Sequence, residues 1–146
     1  MTVYLLDVNV LIALIDPAHI QHDTAHEWFA RVGRKGFATC PLTENGLVRI
    51  VGHPKYPNSP GPPGVVLQAL TAIRGLAGHT FWPDDLSIAD AEFFAPELLS
   101  SHSRVTARYL LALAHANAGR LATMDQKLAS EVVPGGRKAL ELIQAG

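Results

Sequence analysis

Apolar and polar residues alternate in blocks along this chain, and the period changes from block to block. Residues 3–6 (VYLL) form a short apolar run that stops at Asp7. A strand buried on both faces of a parallel sheet has this pattern. Residues 8–15 (VNVLIALI) predict a helix broken at Asp16-Pro17. In 20–32, Ala25, Trp28, Phe29 and Val32 recur at three- and four-residue spacing, which predicts an amphipathic helix. Residues 33–36 (GRKG) stop it with glycine and basic charge. Residues 37–40 (FATC) predict a second strand, and Pro41 suits the start of a helix over 42–51, in which Gly46 is a weak point. Residues 53–63 hold five of the ten prolines and predict an exposed, mobile loop. A helix is expected over 64–77, a strand over 79–82, short helical pieces over 84–99 and a long helix over 105–117. Residues 120–123 (RLAT) predict another strand, 126–130 a helical turn, and 139–143 a last strand or a terminal helix. Strands alternating with helices predict a three-layer α/β/α sandwich around a mainly parallel sheet.

Composition narrows the partners. A chain of 146 residues with 48 % hydrophobic content predicts one domain, 1–146, with a real core. The formal charge is −1, so bulk charge gives a nucleic-acid partner no support and any such binding needs a local basic patch. The single Cys40 excludes an internal disulfide and suits a reducing compartment. No apolar run approaches a membrane span and no basic leader precedes residue 3, so a soluble cytoplasmic protein is expected.

The chemistry lies in acids at equivalent places. Asp7 follows VYLL, Glu44 lies in the first turn of the helix after FATC, and Asp125 follows RLAT by one residue. Sites in open α/β sheets form at the carboxyl ends of strands, where all three acids can converge. Clustered carboxylates repel unless a cation joins them, and an all-oxygen set suits Mg²⁺ or Mn²⁺. Such a metal activates water and neutralises an attacked phosphate, so the residues read as a metal-dependent phosphoryl-transfer site. Helix capping explains each acid taken singly. It does not require every one of them to follow a strand of the same sheet.

The residues 5–14 (LLDVNVLIAL), 22–29 (HDTAHEWF), 41–51 (PLTENGLVRIV) and 105–128 (VTARYLLALAHANAGRLATMDQKL) together resemble a PIN-domain ribonuclease of the VapC type, the toxin of bacterial type II toxin–antitoxin pairs. The resemblance covers nearly the whole chain. It implies a PIN-like fold and a metal-dependent endoribonuclease with a quartet of acids, three of them matched by Asp7, Glu44 and Asp125. Asp7 and Asp125 would hold Mg²⁺ or Mn²⁺, and Glu44 would hold metal-bound water or act near the nucleophile. Asn9, Thr43 and Thr123 match supporting polar positions. The resemblance also implies an RNA substrate, a homodimer and a VapB-type antitoxin covering the acidic groove with a basic side chain. The apolar surface of 42–51 and 65–77 is a candidate docking groove.

The fourth acid is missing. The family places Asp where this chain has Ala107, beside Arg108. Thr106 is a candidate N-cap that would put position 107 in a first helical turn, where Asp is favourable, so local helix chemistry does not explain the alanine. Either the chain is a naturally degenerate member, or an Asp was replaced to silence a nuclease; retention of the other three acids favours replacement. In both cases weak metal binding and low turnover are expected. Two alternatives remain. One is a PIN module that binds RNA or protein without cutting. The other is a haloacid-dehalogenase-type phosphatase, which would want an Asp where Asn9 stands.

Arg49, His53 and Lys55 are the favoured cations for an RNA backbone, ahead of Arg31, Arg34 and Lys35, because they lead from the Glu44 helix into the proline-rich loop. Tyr56 offers a ring to a base, although local packing is the commoner fate of a loop aromatic. His22 and His26 have metal-ligand spacing, with His19 nearby, but an exposed helical face explains them more simply. Cys40 reads as a small buried hydrophobe.

Overall fold

The computed structural model describes residues 1–99, 101–131 and 136–145. Five strands form one parallel sheet: β1 (Tyr4–Leu6), β2 (Phe37–Thr39), β3 (His79–Phe81), β4 (Arg120–Thr123) and β5 (Leu140–Leu142), in the order β3-β2-β1-β4-β5. Every pairing is parallel. The helices are α1 (Val8–Ile15), α2 (His22–Arg31), α3 (Pro41–Val51), α4 (Pro63–Arg74), α5 (Val105–Ala116) and α6 (Gln126–Glu131). They cover both faces, giving the expected α/β/α sandwich. The ambiguous segment near the C-terminus is a strand, β5.

Side chains alternate across the sheet with period two, and the core splits accordingly. Leu6, Phe37 and Ala122 pack with Val10, Leu11, Leu47, Val51, Val66 and Leu70 under α1 to α4. Leu5, Ala38 and Leu121 pack with Leu110, Leu113, Ala114 and Leu128 under α5 and α6. All six of these strand residues are fully buried, which explains why their runs are apolar without alternation.

Glycine permits close approach at several points, and two of them shape the elements around the site. A Cβ on Gly46 would lie 2.9 Å from Val8 Cγ2, so the weak point in α3 is what lets α3 lie against the start of α1. A Cβ on Gly119 would lie 2.5 Å from the Val3 carbonyl. The left-handed turn that ends α5 falls one residue earlier, at Ala118 (φ 55°).

Two segments differ from the sequence reading. Within 84–99 the only helical piece among the described residues is a 3-10 turn, Pro96–Leu99. Ser87 Oγ and Asp90 Oδ1 accept from the N–H groups two residues on, and such local bonds compete with helix. The proline-rich loop is pinned. Asp16, 4 % exposed, accepts from Tyr56 Oη at 2.5 Å, Asn58 Nδ2 at 3.1 Å and the Ala18 N–H at 3.0 Å. Burial raises the Asp16 carboxyl, but these bonds and His19 outweigh it and hold it below its ordinary value.

Candidate active site

The carboxyl ends of β1 and β4 lie side by side, because Leu6 pairs with Ala122. Asp7 and Thr123, the next residues in each strand, therefore meet. Thr123 is fully buried, and its hydroxyl donates to Asp7 Oδ2 at 2.7 Å. Thr123 Oγ1 itself accepts from Asn9 Nδ2 at 3.2 Å and from the Asp125 N–H at 3.1 Å. Asn9 Oδ1 accepts from the Met124 N–H at 3.2 Å. One hydroxyl thus organises Asp7, Asn9 and Asp125. Both aspartates also cap helices: Asp7 Oδ1 accepts from the Val8 N–H at 2.7 Å, and Asp125 Oδ1 from the Leu128 N–H at 3.0 Å. Capping and site-building are therefore two uses of the same residues, one oxygen of each carboxylate serving the helix.

The two carboxylates feel each other. Burial pushes the Asp7 carboxyl above its ordinary value, bonds from Thr123 and Val8 pull it back, and the Asp125 charge pushes it up again. Asp125 Oδ2 faces a cation from its own chain, Arg104 Nη1, at 3.2 Å.

Glu44 stands apart from that pair. Its Oε2 accepts from Thr39 Oγ1 at 2.7 Å and is ion-paired with Arg74 Nη1 at the end of α4. Strand alternation explains the separation. Ala38 and Ala122 belong to opposite core clusters, so Thr39 and Thr123, one residue further on, project to opposite faces. Among the described residues no three of His, Cys, Asp and Glu lie close enough to hold a metal. The acids form a pair, Asp7 with Asp125, and a single carboxylate one strand over.

The remaining sequence candidates separate likewise. Thr43 is fully buried at the start of α3, where its hydroxyl accepts from the Cys40 N–H at 3.0 Å and donates to the Cys40 carbonyl at 3.1 Å. It secures the turn that carries Glu44. Arg49 and His53 line an open cleft of about 740 Å³ between α3 and α4, together with Glu44, Asn45 and Leu70. Lys55 is exposed beside it, its N–H donating to His53 Nδ1 at 2.9 Å. His22 Nδ1 and His26 Nε2 each lie 2.7 Å from carbonyls at the end of α1, of Ala13 and Leu14, so these rings tie α2 to α1.

Known proteins show the family and the fold. Over 90 % of its length the chain is 43 % identical to ribonuclease VapC39 of Mycobacterium tuberculosis, covering 94 % of that protein. Over 92 % it is 41 % identical to ribonuclease VapC44 of the same organism, again covering 94 %. The chain belongs to the VapC ribonuclease family. No family model matches it. Its fold also resembles a chain in the crystal structure of VapBC2 from Rickettsia felis bound to a DNA fragment from the promoter. There the TM-score is 0.59 at 15 % identity, over 98 % of this chain and all of that one, a likeness of fold.

Within this VapC chain, Ala107 packs half-buried in the first turn of α5 against the core under that helix. Its neighbour Arg108 has a buried Nε without a hydrogen-bond partner among the described residues. Sequence reading missed Thr39, Arg74, His79 and Arg104. Arg74, His79 and Arg104 touch an acid, or the group holding it, only through the tertiary fold, whereas Thr39 meets Glu44 across the five-residue turn from β2 into α3. The one local signal is that Thr39 ends a buried strand, as Thr123 does.

Proposed function

We propose that this chain is a metal-dependent endoribonuclease toxin, neutralised by a VapB-type antitoxin, and that Ala107 impairs it. The observation that supports this most is the Asp7–Thr123–Asp125 arrangement at the carboxyl ends of two adjacent parallel strands. Two carboxylates with no soft ligand suit a hard divalent cation, Mg²⁺ or Mn²⁺, which is commonly held by one or two carboxylates and substrate phosphate. Asp7 and Asp125 are the residues that would hold it, and their mutual repulsion is what a cation would relieve. Bound there, the metal supplies an activated water and neutralises charge on the attacked phosphate.

The protein's own part is orientation. Thr123 fixes one oxygen of Asp7, and the Leu128 N–H fixes one of Asp125. Asn9 ties the ends of β1 and β4 together. Glu44, held by Thr39, is the acid available to take a proton from the attacking water. Arg49 and His53 offer positive charge to an RNA backbone along the α3–α4 cleft, with Lys55 beside it. The same cleft offers the antitoxin a docking surface, and the exposed Val65 and Leu67 of α4 offer apolar area to a second copy. Among the described residues no helix is long and apolar enough to cross a membrane.

A second reading rests on Ala107 and Arg104. With one acid absent and Asp125 already paired to an arginine, the chain is a PIN module that binds without cutting. Ala107→Asp separates the two. The revertant and the parent are incubated with a broad RNA set in Mg²⁺, Mn²⁺ or chelator. Cleavage by the revertant, abolished by chelator, is the expected result. Silence of both would overturn the claim that position 107 impairs a nuclease and leave the binding module.

A further inference from the structure

We propose that Phe81 and Arg74 form a nucleotide subsite that stacks one unpaired base of single-stranded RNA and holds its phosphate beside Glu44. The inference rests on the ribonuclease reading and adds to it a place on the molecule.

Four observations converge. Phe81 is the last residue of the edge strand β3, at the carboxyl end of the sheet, and it is 42 % exposed. A lone exposed aromatic is ordinary. Here, however, Phe81 pairs in register with Thr39, the residue that holds Glu44. The Arg74 guanidinium carbon lies 4.8 Å from the Phe81 ring centroid while Nη1 of the same group is ion-paired with Glu44. Finally, 40 % of the Arg74 side chain remains exposed.

The chemistry follows. A guanidinium is a planar fork of five N–H donors, so one contact with Glu44 leaves donors on the solvent side for a phosphate oxygen. Aromatic rings and arginine planes are the two surfaces on which unpaired RNA bases stack. Placing them together beside an acid gives a layered platform, with base on ring and phosphate on guanidinium. His79 stiffens the platform. Its Nε2 lies 2.7 Å from Thr39 Oγ1, which already donates to Glu44, so the His79 N–H donates and fixes the hydroxyl. The subsite is two strand spacings, about 10 Å, from β1 and Asp7. It therefore takes a nucleotide flanking the one that reacts. A duplex presents no unstacked base and does not fit.

The test is binding, read by fluorescence anisotropy of a labelled single-stranded oligoribonucleotide, in chelator so that nothing is cut. Phe81→Ala should weaken binding about tenfold and Phe81→Trp should restore it, since stacking on an aromatic carries such a factor per base. Arg74→Gln should also flatten the dependence of log affinity on log salt by about 0.7, the slope of one phosphate contact on a single strand. A purely structural role for Arg74 would not move that slope. Duplex RNA should compete poorly. Thermal melting of Phe81→Ala should match the parent, because the side chain lies outside both core clusters. If the parent binds and Phe81→Ala binds equally, the subsite is refuted and the ribonuclease reading stands. If the parent binds no RNA at all, the subsite is refuted, and chelator-sensitive cleavage by the Ala107→Asp revertant decides the ribonuclease reading separately.

Discussion

Replacing Thr123 with valine removes one hydroxyl and nearly keeps the shape of the side chain. That hydroxyl is shared by Asp7 at 2.7 Å, Asn9 at 3.2 Å and the Asp125 N–H at 3.1 Å. The bond to the Asp7 carboxylate is charge-assisted and contributes about 2 kcal/mol. The other two partners are part-exposed and recover water, so together they add about 1 kcal/mol. The expected loss is about 3 kcal/mol, which lowers a urea midpoint by about 1.5 M at a slope of about 2 kcal/mol per M. Thr123→Ser keeps the hydroxyl and loses only a methyl, about 1 kcal/mol or less. A pH signature distinguishes this mechanism from lost packing. Asp7 titrates above its ordinary 3.8, through burial and then Asp125, against the pull of Thr123 and Val8. A carboxyl raised on folding costs no stability below 3.8 and costs progressively more as pH rises through its folded value. Valine raises Asp7 further, so its deficit should be larger at pH 7 than near pH 4. A valine variant within 0.5 kcal/mol of the parent at pH 7 (about the scatter of neutral surface changes), or a deficit identical at both pH values, would refute this account.

Other expectations follow from particular contacts. Asp16→Asn or Tyr56→Phe breaks the clamp on the proline-rich loop; a loss of about 1–2 kcal/mol and faster proteolytic nicking within 53–63 are expected. Asp16 is held below its ordinary value, so the clamp's contribution is complete above 3.8 and fades as pH falls through the folded value. The Tyr56 hydroxyl is pushed up to about 12 by burial and by Asp16, so ultraviolet titration should find more tyrosine still protonated at pH 11 in the native parent than in native Tyr56→Phe. Gly46→Ala gains about 1 kcal/mol of helix propensity but meets Val8 at 2.9 Å; a net loss of about 1 kcal/mol in denaturant and a shifted Glu44 with reduced cleavage by the Ala107→Asp background are expected. Cys40 is fully buried, and burial pushes its thiol up to about 11, so iodoacetamide at pH 8 should label it only after denaturation.

Much of this molecule is written in short windows of sequence. The apolar runs that become β1, β2 and β4, the breaks at Pro17 and Gly119, and the placing of Asp7, Glu44 and Asp125 just past strands are all encoded within about ten residues. Burial on both faces demands a continuous apolar run, and a helix N-terminus favours an acid. The absence of an acid at position 107 is equally visible there. Only the tertiary structure decides what each acid faces. Arg74 reaches Glu44 across 30 residues, Arg104 reaches Asp125 across 21, and Tyr56 reaches Asp16 across 40. Those meetings depend on the strand order β3-β2-β1-β4-β5 and on which face each threonine takes, and no local window contains that information. An apolar pattern states that a segment is buried, while an ion pair requires two segments to arrive at one place. Hence the sequence determined that acids gather at the carboxyl edge of a parallel sheet. The fold divided them into a pair joined by Thr123 and a glutamate held by Thr39 and Arg74.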